Sequence, residues 1–172
     1  MKAHSQRGFT LVEVLVSMVV LSIALLGIAK LMMFASRSND SAYLRSQATQ
    51  LGYEILDAMR ANRQTAILHG YDTSISSAPP SPGSCLQPAV CTNGGTLALY
   101  DVYTWKQRLS VATGGLLPSG QGSIVTTTSG TTPSVTTATV TVQWDDSVAQ
   151  SSFGATTVGA AAPMTITLET IL

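Results

Sequence analysis

The chain has 172 residues, room for one compact domain beside an anchor, and its nine Lys and Arg balance nine Asp and Glu to a formal charge of zero. Such a balance leaves no electrostatic footprint for nucleic acid. A charged fraction of only 10%, with Thr, Ser, Ala and Gly abundant, suits an exported β-containing domain better than a cytosolic enzyme.

Met1–Gly8 is short and basic (Lys2, His4, Arg7) and gives way at Phe9 to an apolar run that reaches Phe34. About twenty apolar residues span a bilayer as a helix, and this run is long enough even with Ser17, Ser22 and Gly27 inside it. A secretory signal would carry a shorter apolar core followed by a small-residue cleavage site. Here the basic flank ends in Gly8 and the apolar run has no such site behind it, so the run reads as retained. Glu13 is the one ionisable side chain between Phe9 and Ala29. An ionised carboxylate costs about 2.5–3.5 kcal/mol at mid-membrane and less near the interface. Glu13 is therefore either tolerated one turn inside, snorkelling toward water, or put to use.

Gly8-Phe9-Thr10-Leu11-Val12-Glu13 resembles the processing site of type IV pilins and of the related pseudopilins of type II secretion. The resemblance implies that a prepilin peptidase cuts between Gly8 and Phe9 and methylates the new amine of Phe9. It also makes Glu13 the residue that sets subunit register. The physics agrees: the freed amine of Phe9 is a positive charge beside lipid, and the carboxylate of Glu13 in a neighbouring chain can pair with it. Within one chain, the helix dipole also favours a carboxylate this close to the amino end. Removing the leader deletes Lys2 and Arg7, which leaves seven basic against nine acidic side chains, or −2 before the new amine is counted. Charge bias alone does not orient the span, because Lys30, Arg37 and Arg45 follow it. The short leader, the polar domain behind the span and the cysteine pair favour a cytoplasmic amino end.

Beyond the polar interruption Ser36–Asp40, which either bends or solvates the junction, Leu44, Ala48, Leu51, Ile55 and Ala58 or Met59 recur at helical spacing. Such a stripe buries one face of a helix. The pattern predicts a single long helix from Phe9 to about Gln64, half in lipid and half against a domain. Arg60 and Arg63 read as a solvated face or a binding patch, with Asp57 a weak partner for Arg60.

Ser74–Gly95 is rich in Ser, Pro and Gly and reads as an exposed loop. It holds the only cysteines, Cys85 and Cys91. Close spacing and an even count favour a disulfide in an oxidising compartment; free thiols or half a metal site are the alternatives, and no histidine lies near to complete a zinc set. The stretch from Leu97 to Val111 suggests a short second helix around Tyr100–Ala112, with Asp101 near its start and Gly114-Gly115 past its end. Its aromatics also allow a strand.

After Pro118 the period changes to two. Ile124–Thr128 is a short candidate strand, and Thr136–Trp144 puts Ala138, Val140, Val142 and Trp144 on one face. Met164, Ile166 and Leu168 repeat the alternation in the last strand. Ser129–Val135 and Asp145–Pro163 are the connections. Asp145-Asp146 reads as a turn, with calcium contact the rarer use of such a pair.

A long amino-terminal helix on an antiparallel sheet is the pilin architecture, so the expected class is α+β. Leu56–Asn62 and Leu116–Gly122 resemble the PilV class of minor pilin, whereas Lys30 stands where many major pilins have a helix-kinking proline. The resulting division is 1–8 leader, 9–35 membrane and assembly half, 36–64 amphipathic half, and 65–172 periplasmic α+β domain. The resemblance implies a minor pilin stored in the bacterial inner membrane, amino end cytoplasmic and domain periplasmic, and then carried into the surface pilus, in a priming or tip complex. Its partners would be the prepilin peptidase, membrane lipid, and major and minor pilins through the first helix. A type II secretion pseudopilin is the alternative within the class. A pilus-borne adhesin using the Cys85–Cys91 and Asp145–Pro163 loops is the alternative outside it. No catalytic set, phosphate loop, cofactor site or metal cluster can be assembled by spacing, so no enzyme is expected.

Overall fold

A computed structural model describes residues 9–83, 85, 87–88, 91, 93–130, 135–147 and 163–172. The leader with Lys2, His4, Arg7 and Gly8, the centre of the Ser129–Val135 connection and most of the Asp145–Pro163 connection lie outside the described residues. Two compact units divide the chain, Met1–Asn39 and Asp40–Leu172.

Helix α1, Leu11–Ala61, is 51 residues long. Thr10 opens it: its hydroxyl accepts the Glu13 amide at 3.3 Å, and its carbonyl accepts the amides of Glu13 and Val14. The serines in the apolar half are tolerated because their hydroxyls turn back onto the helix. Ser17 Oγ donates to the Glu13 carbonyl at 2.7 Å and Ser22 Oγ to the Met18 carbonyl at 2.8 Å. The helix also runs unbroken through Lys30 and through Ser36–Asp40.

In the second unit the stripe is buried as its spacing requires: Ala48, Leu51, Ile55 and Met59 are in the core and Leu44 and Ala58 pack at its margin. The expected continuation to Gln64 is corrected. α1 ends at Ala61, Asn62 leaves helical geometry, and a separate five-residue helix α2 covers Arg63–Ile67. Asn62 breaks the helix because its side-chain amide is claimed elsewhere, donating to the Gly94 carbonyl at 2.7 Å and to the Tyr71 hydroxyl at 3.2 Å.

The second predicted helix exists but starts six residues early. Helix α3 spans Gly94–Leu109, and Val111–Thr113 forms a separate 3-10 turn. Its start is fixed by a reciprocal cap in which Asn93 Oδ1 accepts the Thr96 amide at 2.9 Å and Thr96 Oγ1 accepts the Asn93 amide at 3.2 Å. That pair outweighs the poor helix propensity of Gly94-Gly95.

Three strands follow, β1 Gln121–Ser129, β2 Val135–Trp144 and β3 Met164–Ile171, antiparallel in the order β1-β2-β3. Register pairs Ile124 with Val140 and Val140 with Leu168, so one face gathers the apolar set. Ala138, Val140, Val142 and Trp144 are buried on it, and Ile166 and Leu168 pack at its edge. α1 covers this face closely: a Cβ on Gly52 would lie 2.6 Å from Leu168 Cδ1. The fold is thus a long apolar-to-amphipathic helix on a three-stranded antiparallel sheet with short helices, an α+β, pilin-like arrangement.

Candidate assembly site

Among the described residues, the apolar side chains of Phe9 to Phe34 are exposed. Leu11 is 85% exposed, Phe9 83% and Leu26 73%. An 18-residue window of α1 has mean hydropathy 2.6 and none of it is buried, so the helix is long and apolar enough to cross a membrane. Leaving such a surface in water is unfavourable by about 25 cal/mol per Å², so lipid or other helices must cover it. Glu13 is the acidic residue of the first turn, and Val16, Ser17, Val20, Leu21 and Ala24 line the same shallow groove along the helix. Phe9 lies just ahead of the helix, four residues before Glu13. Gly8, the other half of the expected cleavage pair, is outside the described residues.

Cys85 and Cys91 form a disulfide with Cα atoms 4.8 Å apart. This resolves the choice left open by spacing in favour of the bridge. Cys85 is buried, and the bridge closes a short loop just before the Asn93 cap of α3. Asp145 takes the turn reading, its Oδ1 accepting the Ser147 amide at 2.9 Å. Asp146 is buried and accepts the Ser41 hydroxyl at 2.5 Å. Arg60 bonds Asp57 at 2.8 Å and Thr170 at 2.9 Å, while Arg63 bonds the Leu172 carbonyl at 2.8 Å. Both arginines therefore hold the edge of the domain.

Several polar residues whose spacing assigns them no interior role organise the interior. Tyr71 is fully buried, its hydroxyl 2.7 Å from Asp101 Oδ2. Burial, reinforced by the Asp101 carboxylate, pushes the Tyr71 phenol well above its ordinary range. Burial also raises Asp101, and the hydrogen bond from Tyr71 partly opposes that rise. Lys106 is buried and donates to the carbonyls of Ser74 at 2.7 Å and Ser77 at 2.8 Å, and desolvation lowers its pKa. His69 adopts a left-handed backbone (φ 63°) and its Nδ1 lies 3.0 Å from Asp72 and 2.6 Å from Thr126 Oγ1. The spacing of these residues carried no periodic signal; only the fold brings them together.

The segments that resemble the PilV class prove to be packing devices. Leu116 and Leu117 turn their amides onto the carbonyls of Arg108 (3.0 Å) and Leu109 (2.9 Å), closing the end of α3. Ser119 takes a left-handed backbone (φ 50°), and Gly122 lies where any Cβ would meet Trp105.

Residues 3–29 match the model of the prokaryotic N-terminal methylation motif, the leader of type IV prepilins. No curated protein and no solved structure matches the chain. The motif and the exposed apolar helix together support a precursor of the type IV pilin or pseudopilin kind, anchored in a membrane. The leader motif implies processing by a prepilin peptidase and assembly with pilins.

Proposed function

We propose that the chain is a minor type IV pilin: a structural and assembly subunit, with no catalytic step of its own. The observation that carries this reading is the methylation motif at residues 3–29 on an apolar helix whose described side chains are exposed. Cleavage between Gly8 and Phe9 frees the Phe9 amine, which is then methylated. The subunit waits in the inner membrane, amino end cytoplasmic and Asp40–Leu172 periplasmic. On extraction, neighbouring helices replace lipid over Phe9–Phe34, and the hydrophobic effect holds the subunits together in water. The Glu13 carboxylate of one subunit pairs with the Phe9 amine of the next and sets the axial register. The PilV resemblance favours a place in the priming or tip complex.

Mass spectrometry of protein from sheared surface fibres tests the reading. A mature form beginning at methylated Phe9 is expected, and an intact Met1 form confined to membranes would overturn it. A type II secretion pseudopilin is the second reading, because the leader motif serves both classes equally. The same mass spectrum discriminates: mature protein held in the cell envelope and missing from sheared pili would favour secretion.

A further inference from the structure

The two edges of the sheet are finished differently. At the β1 edge, Ile124 exchanges both backbone bonds with Thr73, at 2.9 and 3.0 Å, and the Thr126 amide donates to Asp72 Oδ1 at 3.0 Å. At the β3 edge, Leu172 donates its amide to the Thr136 carbonyl at 2.9 Å. An antiparallel ladder alternates, so Thr170, Leu168 and Ile166 also turn their backbone groups toward β2. Thr165, Thr167, Glu169 and Ile171 therefore turn theirs outward, and among the described residues no other backbone group meets them. All four residues are exposed.

An open edge is ordinarily blunted by lysine, proline or a bulge. Met164–Ile171 has none of these: its register with β2 is unbroken, and Glu169 is its one charged residue. Thr and Ile fill five of its eight positions and keep the backbone extended. The strip beside the edge is shaped as well. On the inner side Met164, Ile166 and Leu168 are only partly buried. α1 stands over them: Gly52 faces Leu168 Cδ1, and Arg60 donates to Thr170 Oγ1 at 2.9 Å. Tyr53, two helical turns before Arg60, lies on the same side of α1 and is 51% exposed.

A row of alternating backbone donors and acceptors, apolar on its inner flank and carboxylate-bearing on its outer one, has the chemistry of an extended peptide. A second copy of this chain fits poorly. Antiparallel pairing of two β3 strands would set both α1 helices on one face, above strands about 4.8 Å apart, whereas packed helices need about 8–10 Å. We propose that the outer edge of β3 receives a single extended strand of another protein chain, one with no helix of its own behind it. Every second side chain of that strand is apolar and turns in beside Ile166, Leu168 and Tyr53, and a Lys or Arg on its other face lies beside Glu169. The edge belongs to the Asp40–Leu172 unit alone, so this docking is independent of the function proposed above.

Amide hydrogen exchange of the full-length chain in zwitterionic micelles tests the open edge first. Fast exchange is expected at Thr165, Thr167, Glu169 and Ile171 and slow exchange at Ile166, Leu168 and Thr170. Protection of the first set in dilute protein would overturn the proposal, and protection that rises with protein concentration would assign the edge to a second copy and overturn the lone strand. The probe for docking is the peptide acetyl-Thr-Val-Thr-Val-Lys-Val-Thr-amide. Its saturable binding, read by amide shifts, is expected to slow exchange at Thr165, Thr167 and Glu169. Residues paired across a ladder share a face, so the Thr and Lys amides of the peptide are the ones that meet β3. N-methylating those amides should weaken binding by at least about tenfold, whereas N-methylating the Val amides, which point away, should leave it within about twofold. Glu169→Gln should weaken the Lys peptide by about twofold to threefold and leave its Lys-to-Thr analogue unchanged. No saturable binding, equal effects of the two methylation patterns, or shifts confined to residues outside β3 and Tyr53 would each overturn the docking edge.

Discussion

Replacing Tyr71 by Phe removes one oxygen from the interior and leaves the ring in place, so its effect isolates the hydroxyl. That hydroxyl sits 2.7 Å from Asp101 Oδ2 on α3 and accepts from Asn62 at the end of α1. A hydrogen bond to a charged group contributes about 1.5–3 kcal/mol net. Asp101 is only partly buried and Asn62 keeps its bond to the Gly94 carbonyl, so water and the remaining partner offset part of the loss. The expected cost is therefore about 1.5 kcal/mol, at the lower end of that range. For a domain of this size it lowers the melting temperature by roughly 5 °C. Near-ultraviolet circular dichroism of the full chain in micelles reads it, because Trp105 and Trp144 are both buried in the core and report its loss. Made in an Asp101→Asn background, the same change removes only a neutral bond and costs about 1 kcal/mol or less. Equal losses in the two backgrounds, or a shift under about 1 °C in the first, would show that the Tyr71–Asp101 contact does not tie α3 to the end of α1.

Because burial raises Asp101 above the ordinary carboxylate value, the folded chain holds that proton more tightly than the unfolded chain. The associated stability is present below the unfolded pKa and lost as pH rises through the folded one. Wild type should therefore gain on Asp101→Asn as pH is lowered from 7 toward 4, and melting temperatures that diverge the other way would contradict the cause assigned. Gly122→Ala places a Cβ against Trp105 and Leu109 and should cost about 1–3 kcal/mol by overpacking, while Thr139→Ala on the outer sheet face stays within about 0.5 kcal/mol in the same melts. Replacing both Cys85 and Cys91 by Ser should cost about 2 kcal/mol, the loop-closure entropy of so short a ring, as read by denaturant midpoint at unchanged slope. Glu13→Ala should leave a mature amino terminus at Phe9 but cut incorporation into fibres at least tenfold, and full incorporation would refute the pairing of Glu13 with the neighbouring amine.

The parts of the fold legible in the sequence are those whose signal repeats locally. Ala48, Leu51, Ile55 and Met59 announced the buried face of α1, and Ala138 through Trp144 announced the inner face of β2, because helix and strand each stamp a fixed period on burial. The start of α3 is hidden in the sequence because Gly94-Gly95 looks like loop, and the Asn93–Thr96 cap that overrules it spans only one turn. β1 begins at Gln121, earlier than expected, since Gly122 reads as a turn residue until Trp105 is seen to occupy the space a side chain would need. The contacts of Asn62, Tyr71, Asp101 and Lys106 carry no such local period. Tyr71 and Asp101 are 30 residues apart, and Lys106 reaches Ser74 across 32. At the membrane end the position is reversed. Phe9 and Glu13 stand out from sequence alone, and the structure adds mainly that both are exposed among the described residues.

The two stretches that suggested the PilV class, Leu56–Asn62 and Leu116–Gly122, hold opposite ends of the same helix. Asn62 bonds the Gly94 carbonyl where α3 begins, and Leu116 and Leu117 bond the carbonyls of Arg108 and Leu109 where it stops. Between them Trp105 reaches across to the Leu51 carbonyl at 2.9 Å, so α3 is fixed to α1 along its length as well. Residues used in this way answer to packing, and they say how the head is closed, not what it touches. A pilus subunit and a secretion subunit could share all of them. The distinction must lie on surfaces the packing leaves free, such as the exposed Val111 and Leu116 beside the end of α3. Substitutions at those positions can change partners without disturbing the core, whereas substitutions in the clamps change stability first and function only as a consequence.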